Sequence, residues 1–405
     1  MDKKPEKMVP EVRFKGFTDD WEQHKFDNVV KRINDKDDNP RLPHIEFENI
    51  ISGNGTLNKN IKDLNSKKIG TKFQKEDILF GKLRPYLKNW YFAKENGIAV
   101  GDFWVLRAKK ISVFVYYLIQ TEKFYSIANL SSGSKMPRSD WNLVSNSRFN
   151  FPENTIESIK IGNLILQLDK LITLQQRKLE QLKQLKTAML QQLFVNKNYK
   201  QPILRFKNFN GNWEKRKFSE LATIRRGLTY KPKDMRDSGK NSKRVLRSSN
   251  INENNFVIYN DDVFVDKCSI NIAYVHNNDI LITAANGSSK LVGKHALIHD
   301  IPDNSAVHGG FMLLASSNNP EFINALMSAP WYSRFVNNYV IGGNGAIGNL
   351  KKDDLDSQII YTPAKNEIKK IGHFFNRLDN LIALQQNKLT QLTTLKEYLL
   401  QKLFI

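Results

Sequence analysis

The chain has 405 residues, of which 40% are hydrophobic and 11% aromatic, a composition typical of a globular protein long enough for two domains. Its single cysteine, Cys268, excludes an internal disulfide and a cysteine-based zinc site, and we expect it to be a small buried hydrophobe. The formal net charge of +21 favours binding to a polyanion, with nucleic acid as the first candidate and a membrane surface as the second.

Membrane association receives little support from the sequence. No apolar run approaches the ~18 residues needed to cross a bilayer, and no basic amphipathic helix with an aromatic face is present. The first ten residues, MDKKPEKMVP, lack the apolar region of a signal peptide. We therefore expect a cytoplasmic protein.

Near its start the chain carries a motif that returns 192 residues later. Residues 10–26 read PEVRFKGFTDDWEQHKF, and residues 202–218 read PILRFKNFNGNWEKRKF. We call these segments the opening motifs. Their agreement is a first indication that the chain contains an internal duplication.

The first body follows its opening motif and extends to residue 156. Strand-like runs occur at 77–80, 98–100 and 103–106, and the apolar spacing predicts one helix over 113–127. One loop, at 81–90, sets basic residues among aromatics, and a second, at 131–138, has small residues whose N–H groups and hydroxyls could approach phosphates. Their candidate DNA-binding residues are Lys82, Arg84, Tyr86, Lys88, Lys135 and Arg138. The alternative is that these charges are simply solvated.

A long helix is predicted at 157–194, because apolar residues recur every three or four positions and no Gly or Pro follows Gly162. The same text returns at 367–404, where 21 of 38 aligned positions are identical. Each helix would be roughly 57 Å long at 1.5 Å per residue. The seven-residue apolar period favours packing of one copy against the other. Alternatively, each helix covers only the core of its own domain.

The predicted helix-packing residues occupy equivalent places in the two copies. Gln175 and Gln385 interrupt the apolar seam, which is typical of residues that fix the register of a helix pair. The full set is Leu168, Ile172, Gln175, Leu179, Leu182, Leu378, Ile382, Gln385, Leu389 and Leu392.

The second body has the same order of predicted elements as the first, with strand-like runs at 279–283, 296–298 and 311–314 and a helix after Pro320. Between 225 and 247 the chain has nine Lys or Arg against two Asp. Candidate DNA-binding residues of this half are Arg225, Arg226, Tyr230, Lys231, Lys233, Arg244, Arg247, Lys290 and Lys294. The opening motifs and long helices are repeated, whereas the two bodies have diverged. This pattern suggests two recognition domains that are held in the same way and recognise different targets.

Several motifs resemble catalytic or ligand sites without completing them. Residues 343–348 read GNGAIG but lack the βαβ context of a dinucleotide site. Residues 287–294 have the wrong glycine spacing for a phosphate-binding loop. His295 and His299 have no evident third zinc ligand. We therefore expect no catalysis, metal or cofactor in this chain.

The opening motifs, the stretch DILFGKLRPY at 77–86 and the LDxLIxLQQ helices at 168–176 and 378–386 resemble the DNA specificity subunit of type I restriction-modification systems. The resemblance covers essentially all of the chain. It implies two mixed α/β target-recognition domains, each reading half of an asymmetric bipartite DNA site. It also implies an antiparallel coiled coil of two long helices with an internal pseudo-twofold repeat.

The resemblance also implies a division of labour among subunits. Two methylation subunits and two ATP-driven restriction subunits would complete the complex, with S-adenosylmethionine, ATP and Mg bound by those partners. The predicted α+β organisation has recognition domains at 1–156 and 201–366 and long helices at 157–200 and 367–405. The alternative function is that of a stand-alone or orphan two-headed DNA-binding or scaffold protein.

Overall fold

The computed structural model describes residues 8–64, 66–130, 136–195, 199–340 and 348–405. The chain divides into two compact units. Unit 1 contains residues 1–176 and 388–405, and unit 2 contains residues 177–387. Each unit therefore includes part of both long helices.

Two four-stranded sheets form the body of unit 1. One, in the order β2-β11-β8-β9, is antiparallel, and the other, β3-β7-β10-β4, pairs β10 with β4 in parallel. The three strands predicted in this half are confirmed as β8, β10 and β11. The strands are β1 (Glu22–Lys25), β2 (Val30–Ile33), β3 (Lys36–Asp37), β4 (His44–Glu46), β5 (Ile50–Ile51), β6 (Thr56–Leu57), β7 (Gly70–Phe73), β8 (Ile78–Gly81), β9 (Trp90–Phe92), β10 (Gly97–Val100), β11 (Phe103–Ala108) and β12 (Arg148–Phe151).

The single helix predicted over 113–127 is wrong, because the chain forms two helices there. Thr121 adopts an extended conformation and its side chain accepts a hydrogen bond from the backbone N–H of Phe124, which starts a new helix. The helices that begin in this half are α1 (Phe26–Val29), α2 (Ser112–Leu118), α3 (Glu122–Ala128), α4 (Trp141–Asn146) and the long α5 (Thr155–Leu193).

Unit 2 repeats the first sheet but changes the second. The order β14-β24-β20-β22 corresponds strand for strand to the first sheet of unit 1, and its three predicted strands are confirmed as β20, β22 and β24. In the second sheet, β15-β19-β16-β23, strands β16 and β23 pair in parallel, as β4 and β10 do in unit 1. Their order is reversed relative to unit 1, because β16 lies inside the sheet and β23 at its edge, whereas β10 lies inside and β4 at the edge. The strands are β13 (Glu214–Lys217), β14 (Thr223–Arg226), β15 (Met235–Arg236), β16 (Ser242–Leu246), β17 (Ile251–Asn252), β18 (Asn255–Phe256), β19 (Phe264–Asp266), β20 (Ile280–Thr283), β21 (Ala285–Asn286), β22 (His295–Leu297), β23 (Ala306–His308), β24 (Met312–Ser316), β25 (Gly348–Asn349) and β26 (Ile359–Thr362).

The helix predicted after Pro320 is confirmed, and Pro330 starts a second helix directly behind it. Residues 343–347 of the GNGAIG motif lie outside the described residues. The remaining helices are α6 (Phe218–Leu221), α7 (Pro320–Ser328), α8 (Pro330–Tyr339), α9 (Lys352–Asp356) and the long α10 (Lys365–Lys402).

Each opening motif is fastened to the first turn of a long helix by a bidentate ion pair. In unit 1, Arg13 Nε and Nη2 lie 2.7 and 2.9 Å from the carboxylate oxygens of Glu157. In unit 2, Arg205 makes the same pair with Glu367, at 2.7 Å for both bonds. Both carboxylates are buried, so the charge of each is compensated inside the protein.

Within each unit, the beginning of one long helix packs against the end of the other, so the two run antiparallel. In unit 1, Lys396 Nζ lies 2.7 Å from Asp169 Oδ1, and Leu403 and Phe404 enter the core. In unit 2 the equivalent residues Lys186 and Asp379 form an ion pair. The predicted long helices and their antiparallel packing are confirmed.

The residues predicted to pack between the long helices are all at least half-buried. Leu168, Ile172, Leu179, Leu378 and Gln385 are buried. Gln175, Leu182, Ile382, Leu389 and Leu392 are half-buried.

Among the described residues, no helix combines the length and apolar character needed to cross a membrane.

Candidate nucleic-acid interface

Two loops that are far apart in the sequence of unit 1 form one basic surface. An isolated bridge pairs Leu83 with Arg138, and Arg84 N–H donates to the Pro137 carbonyl at 2.8 Å. The Asp102 carboxylate lies between the loops, 3.0 Å from Arg138 Nη2 and 3.7 Å from Lys82 Nζ. The carboxylate therefore holds two cations side by side while leaving their outer surfaces in solvent. Lys135 lies outside the described residues.

A single 3-10 turn, Pro85–Leu87, presents the other candidates of this loop. Arg84 and Lys88 flank the turn, and both have left-handed backbones with φ of 48° and 55°. Tyr86 is exposed at its centre. Lys88 Nζ lies 5.8 Å from the ring centroid of Tyr125, a cation–π distance that directs this lysine back towards the body. Within the described residues, the guanidinium of Arg84 makes no ion pair, so it can bind an incoming anion without breaking one.

In unit 2, three chain segments meet where β14, β16 and β23 end. Leu228 N–H donates to the His308 carbonyl at 2.7 Å, and Gly309 N–H donates to the Leu246 carbonyl at 2.9 Å. The backbones approach so closely that a Cβ on Gly227 would lie 2.0 Å from the Gly309 carbonyl oxygen. This junction fixes the positions of the candidates on either side of it.

Two of the predicted DNA-binding arginines of unit 2 are already held by carboxylates. Arg225 Nη2 lies 3.2 Å from Asp279 Oδ2. Arg244 forms an ion pair with Asp262, and its guanidinium carbon lies 4.8 Å from the ring centroid of Phe264. Contact of these two residues with DNA stays a prediction, and it would require their present ion pairs to be shared or broken.

The remaining candidates of unit 2 are more accessible. Arg226 and Asp353 are both exposed and lie 3.9 Å apart, so their ion pair is weak. Lys231, Lys233, Arg247 and Lys290 are exposed. Tyr230 and Lys294 are half-buried, and Lys294 faces a different cavity, which Lys183 and Lys186 of α5 also line.

A cavity of about 560 Å³ opens at the junction of the three segments. Its lining includes the predicted residues Tyr230 and Arg247. Asn286 Nδ2 donates to Ser248 Oγ at 3.0 Å, and this bond ties two further walls of the cavity together. The sequence analysis did not single out Phe311, Asn286 or Ser248. The available signal was the Gly309-Gly310-Phe311 run, which places an aromatic residue directly before a buried strand.

The two histidines considered for zinc lie in different environments. His295 is buried, its Nε2 lies 3.2 Å from Ser328 Oγ, and burial lowers the pKa of its imidazole to about 4. His299 is exposed. Among the described residues, no group of three or more His, Cys, Asp or Glu side chains could hold a metal ion.

The expectation that Cys268 is buried is wrong. The residue is exposed in a 3-10 turn, Lys267–Ser269, whose first N–H groups need a cap at the surface. Asp266 Oδ1 accepts the Cys268 N–H at 2.9 Å and supplies that cap.

Comparison with known proteins finds a family match within the second half of the chain. Residues 210–394 match the family of the type I restriction modification DNA specificity domain. No curated protein sequence matches the chain significantly. The fold is similar to the crystal structure of the type I restriction-modification system S subunit from M. genitalium, with a TM-score of 0.66 and 14% identity, covering 98% of this chain and 99% of that one.

A second solved chain, from work on complex assembly and conformational transition of the type I R-M system, gives a TM-score of 0.52 at 16% identity, covering 97% of this chain and 99% of that one. At such identities the likeness is one of fold. Each of the two units carries a basic surface of its own, and the two surfaces differ in sequence.

The matched segment, residues 210–394, is thus similar to the type I restriction modification DNA specificity domain. The resemblance found in the sequence is thus confirmed.

Proposed function

We propose that this chain is the DNA specificity subunit of a type I restriction-modification complex. It would recognise an asymmetric bipartite site, with one half read by each unit, and direct adenine methylation or restriction by partner subunits. The observation that carries the proposal is the repetition of one frame, an opening motif fastened to a long helix, around two different basic surfaces. The opening motif and long helix are the same in both units, whereas the basic surfaces differ. This arrangement suits a DNA target whose two halves differ in sequence.

The chemistry of the complex would belong to its partners. Two methylation subunits would bind S-adenosylmethionine, and two restriction subunits would bind ATP and Mg. The chain would supply target recognition, in which arginine contacts guanine edges in the major groove and other cations contact phosphates. Arg84 and Arg226 are the first candidates for base contact, since both are exposed.

Exposed leucines on the long helices favour a subunit over a stand-alone protein. In unit 1, Leu171 and Leu174 of α5 are exposed, and the equivalent residues Leu381 and Leu384 of α10 are exposed in unit 2. Apolar side chains repeated at equivalent sites on a helix surface are typical of a face that a partner covers. Docking of the methylation subunits on the helix frame would cover these residues.

Mapping of N6-methyladenine across the genome tests the proposal. The chain is expressed beside its neighbouring methylation subunit in a host that lacks other modification systems. We expect methylation at a motif of two short half-sites with a fixed spacer, and no such motif when this chain is omitted. Methylation that is absent, or that is unchanged without the chain, would contradict the proposal and favour the stand-alone alternative.

A further inference from the structure

Phe311 is a rigidly held aromatic residue at the surface of unit 2. Its side chain is 71% exposed. Its carbonyl accepts hydrogen bonds from Ala284 N–H at 2.9 Å and Ala285 N–H at 3.0 Å, and Met312 N–H donates to the Gly309 carbonyl at 2.8 Å. The backbone at Phe311 is thus bonded to the segment that follows β20 and is closed into a turn with Gly309. These hydrogen bonds fix the backbone position of the exposed phenylalanine before a ligand binds.

The glycines before Phe311 allow the turn to lie close to its neighbours. A Cβ on Gly310 would lie 3.1 Å from Thr229 Oγ1, and one on Gly309 would lie 3.2 Å from Val245 Cγ1. Both distances are tighter than ordinary side-chain contacts. The turn therefore packs directly on the segment that carries Tyr230, and Phe311 forms one wall of the 560 Å³ cavity.

The wall around Phe311 is mostly apolar. Leu228, Tyr230, Pro232 and Met235 line the same cavity, and Met235 is exposed. The polar side chains of the lining are Thr229, Arg247 and the bonded pair of Asn286 and Ser248. Such a mostly apolar surface can take up an apolar group of a ligand.

The charge around this surface selects the class of ligand. Arg226 precedes the junction, and Lys231, Lys233, Arg236 and Arg247 are exposed on the segments that frame the cavity. Such a density of cations favours a polyphosphate backbone as the neighbour of the apolar wall. In the major groove of double-stranded DNA, the one apolar group on a base edge is the 5-methyl of thymine.

We propose that Phe311, together with Tyr230 and Met235, forms the apolar contact by which unit 2 reads the 5-methyl group of a thymine in its half-site. The inference rests on the proposed function and names one determinant of its sequence choice. Arg247, which is exposed and lines the same cavity, can then contact a phosphate or a neighbouring base.

The test is a double-mutant cycle. The Phe311 side chain is removed from the protein and the 5-methyl group is removed from the DNA, first separately and then together. The full chain, assembled with its methylation subunits, is bound to duplexes in which each thymine of the mapped target is replaced singly by deoxyuridine. This replacement removes only the methyl group. For one thymine we expect about fourfold weaker binding by the wild type, since a buried methyl-sized group contributes ~0.8 kcal/mol. For Phe311→Ala we expect no penalty from the same replacement.

Two further variants make the comparison specific. Phe311→Leu keeps an apolar side chain and should retain part of the preference for thymine. Tyr199→Ala removes another exposed aromatic side chain of unit 2, outside the cavity lining, and should leave the deoxyuridine penalty intact. In methylation mapping, Phe311→Ala should relax one thymine position of the motif and leave the other half-site unchanged.

Equal deoxyuridine penalties in the wild type and Phe311→Ala at every thymine would overturn the inference. So would an equal loss of affinity by Phe311→Ala for all duplexes, which would indicate a general surface contact. In both cases a bipartite motif in the wild-type complex would leave the proposed function standing. A wild-type complex that selects no motif would overturn both.

Discussion

Breaking the ion pair between Arg205 and Glu367 from one side should be one of the most destabilising single changes in unit 2. The Glu367 side chain is 1% exposed and that of Arg205 is 15% exposed. Two bonds of 2.7 Å join them, and Arg205 also donates to the Gly211 carbonyl at 2.5 Å. The hydrogen bond to Glu367 raises the pKa of Arg205 above its usual value, so the guanidinium stays charged at any working pH.

Arg205→Ala leaves a buried carboxylate without its cation. Removing one partner of a buried pair typically costs ~3–5 kcal/mol, and we expect about 3 kcal/mol because the edge of the guanidinium reaches solvent. Replacing both partners, as Arg205→Met with Glu367→Leu, should recover most of this loss, because no charge is then left buried. Arg13→Ala, at the equivalent pair in unit 1, is the matched control and should act on the other unit.

Denaturant titration of the full chain measures these effects. Trp213 is buried in the core of unit 2, and its fluorescence should report the loss caused by Arg205→Ala. Trp21 occupies the equivalent place in unit 1 and should respond to Arg13→Ala. A cost below 1 kcal/mol for Arg205→Ala, or no recovery in the double variant, would refute the view that the opening motif is fastened through a compensated buried charge.

Three further predictions concern recognition, pH and reactivity. Arg84→Ala and Arg226→Ala should each relax one base pair of the target by ~1–3 kcal/mol in competition binding, whereas equal losses on all sequences would identify phosphate contacts. Burial lowers the pKa of His295 from 6.5 to about 4, so between these pH values the unfolded chain binds more protons than the folded one. Through this residue the free energy of unfolding should fall by about 2 kcal/mol from pH 7 to pH 5. His295→Gln should flatten this dependence of stability on pH. A profile as steep in the variant would contradict that assignment. Cys268 is exposed and should react with a thiol reagent in the native protein at the rate of a free cysteine, and a need for denaturant would contradict its placement.

The long helices could be predicted because their information is local and repeated. The predicted starts at 157 and 367 differ by two residues from Thr155 and Lys365, where the helices begin. The strands at 78–81 and 280–283 were also visible, since strands buried on both faces read as continuous apolar runs.

The missed features depend on contacts between distant parts of the chain. Nothing local to Asp102 indicates that it holds Lys82 beside Arg138. The exchange of two strands between the second sheets of the units is likewise a result of tertiary packing. The 113–127 helix was predicted whole because its apolar spacing continues through Thr121, while the capping ability of that threonine decides the break.

The division of the chain into its two units sets an order for folding during synthesis. Unit 2 is one continuous stretch, residues 177–387, and can close as soon as that stretch has left the ribosome. The core of unit 1 contains Leu403 and Phe404, and Val12 N–H donates to the Lys402 carbonyl. The half that is made first must therefore wait, with its core unfinished, until residues 388–405 have been made.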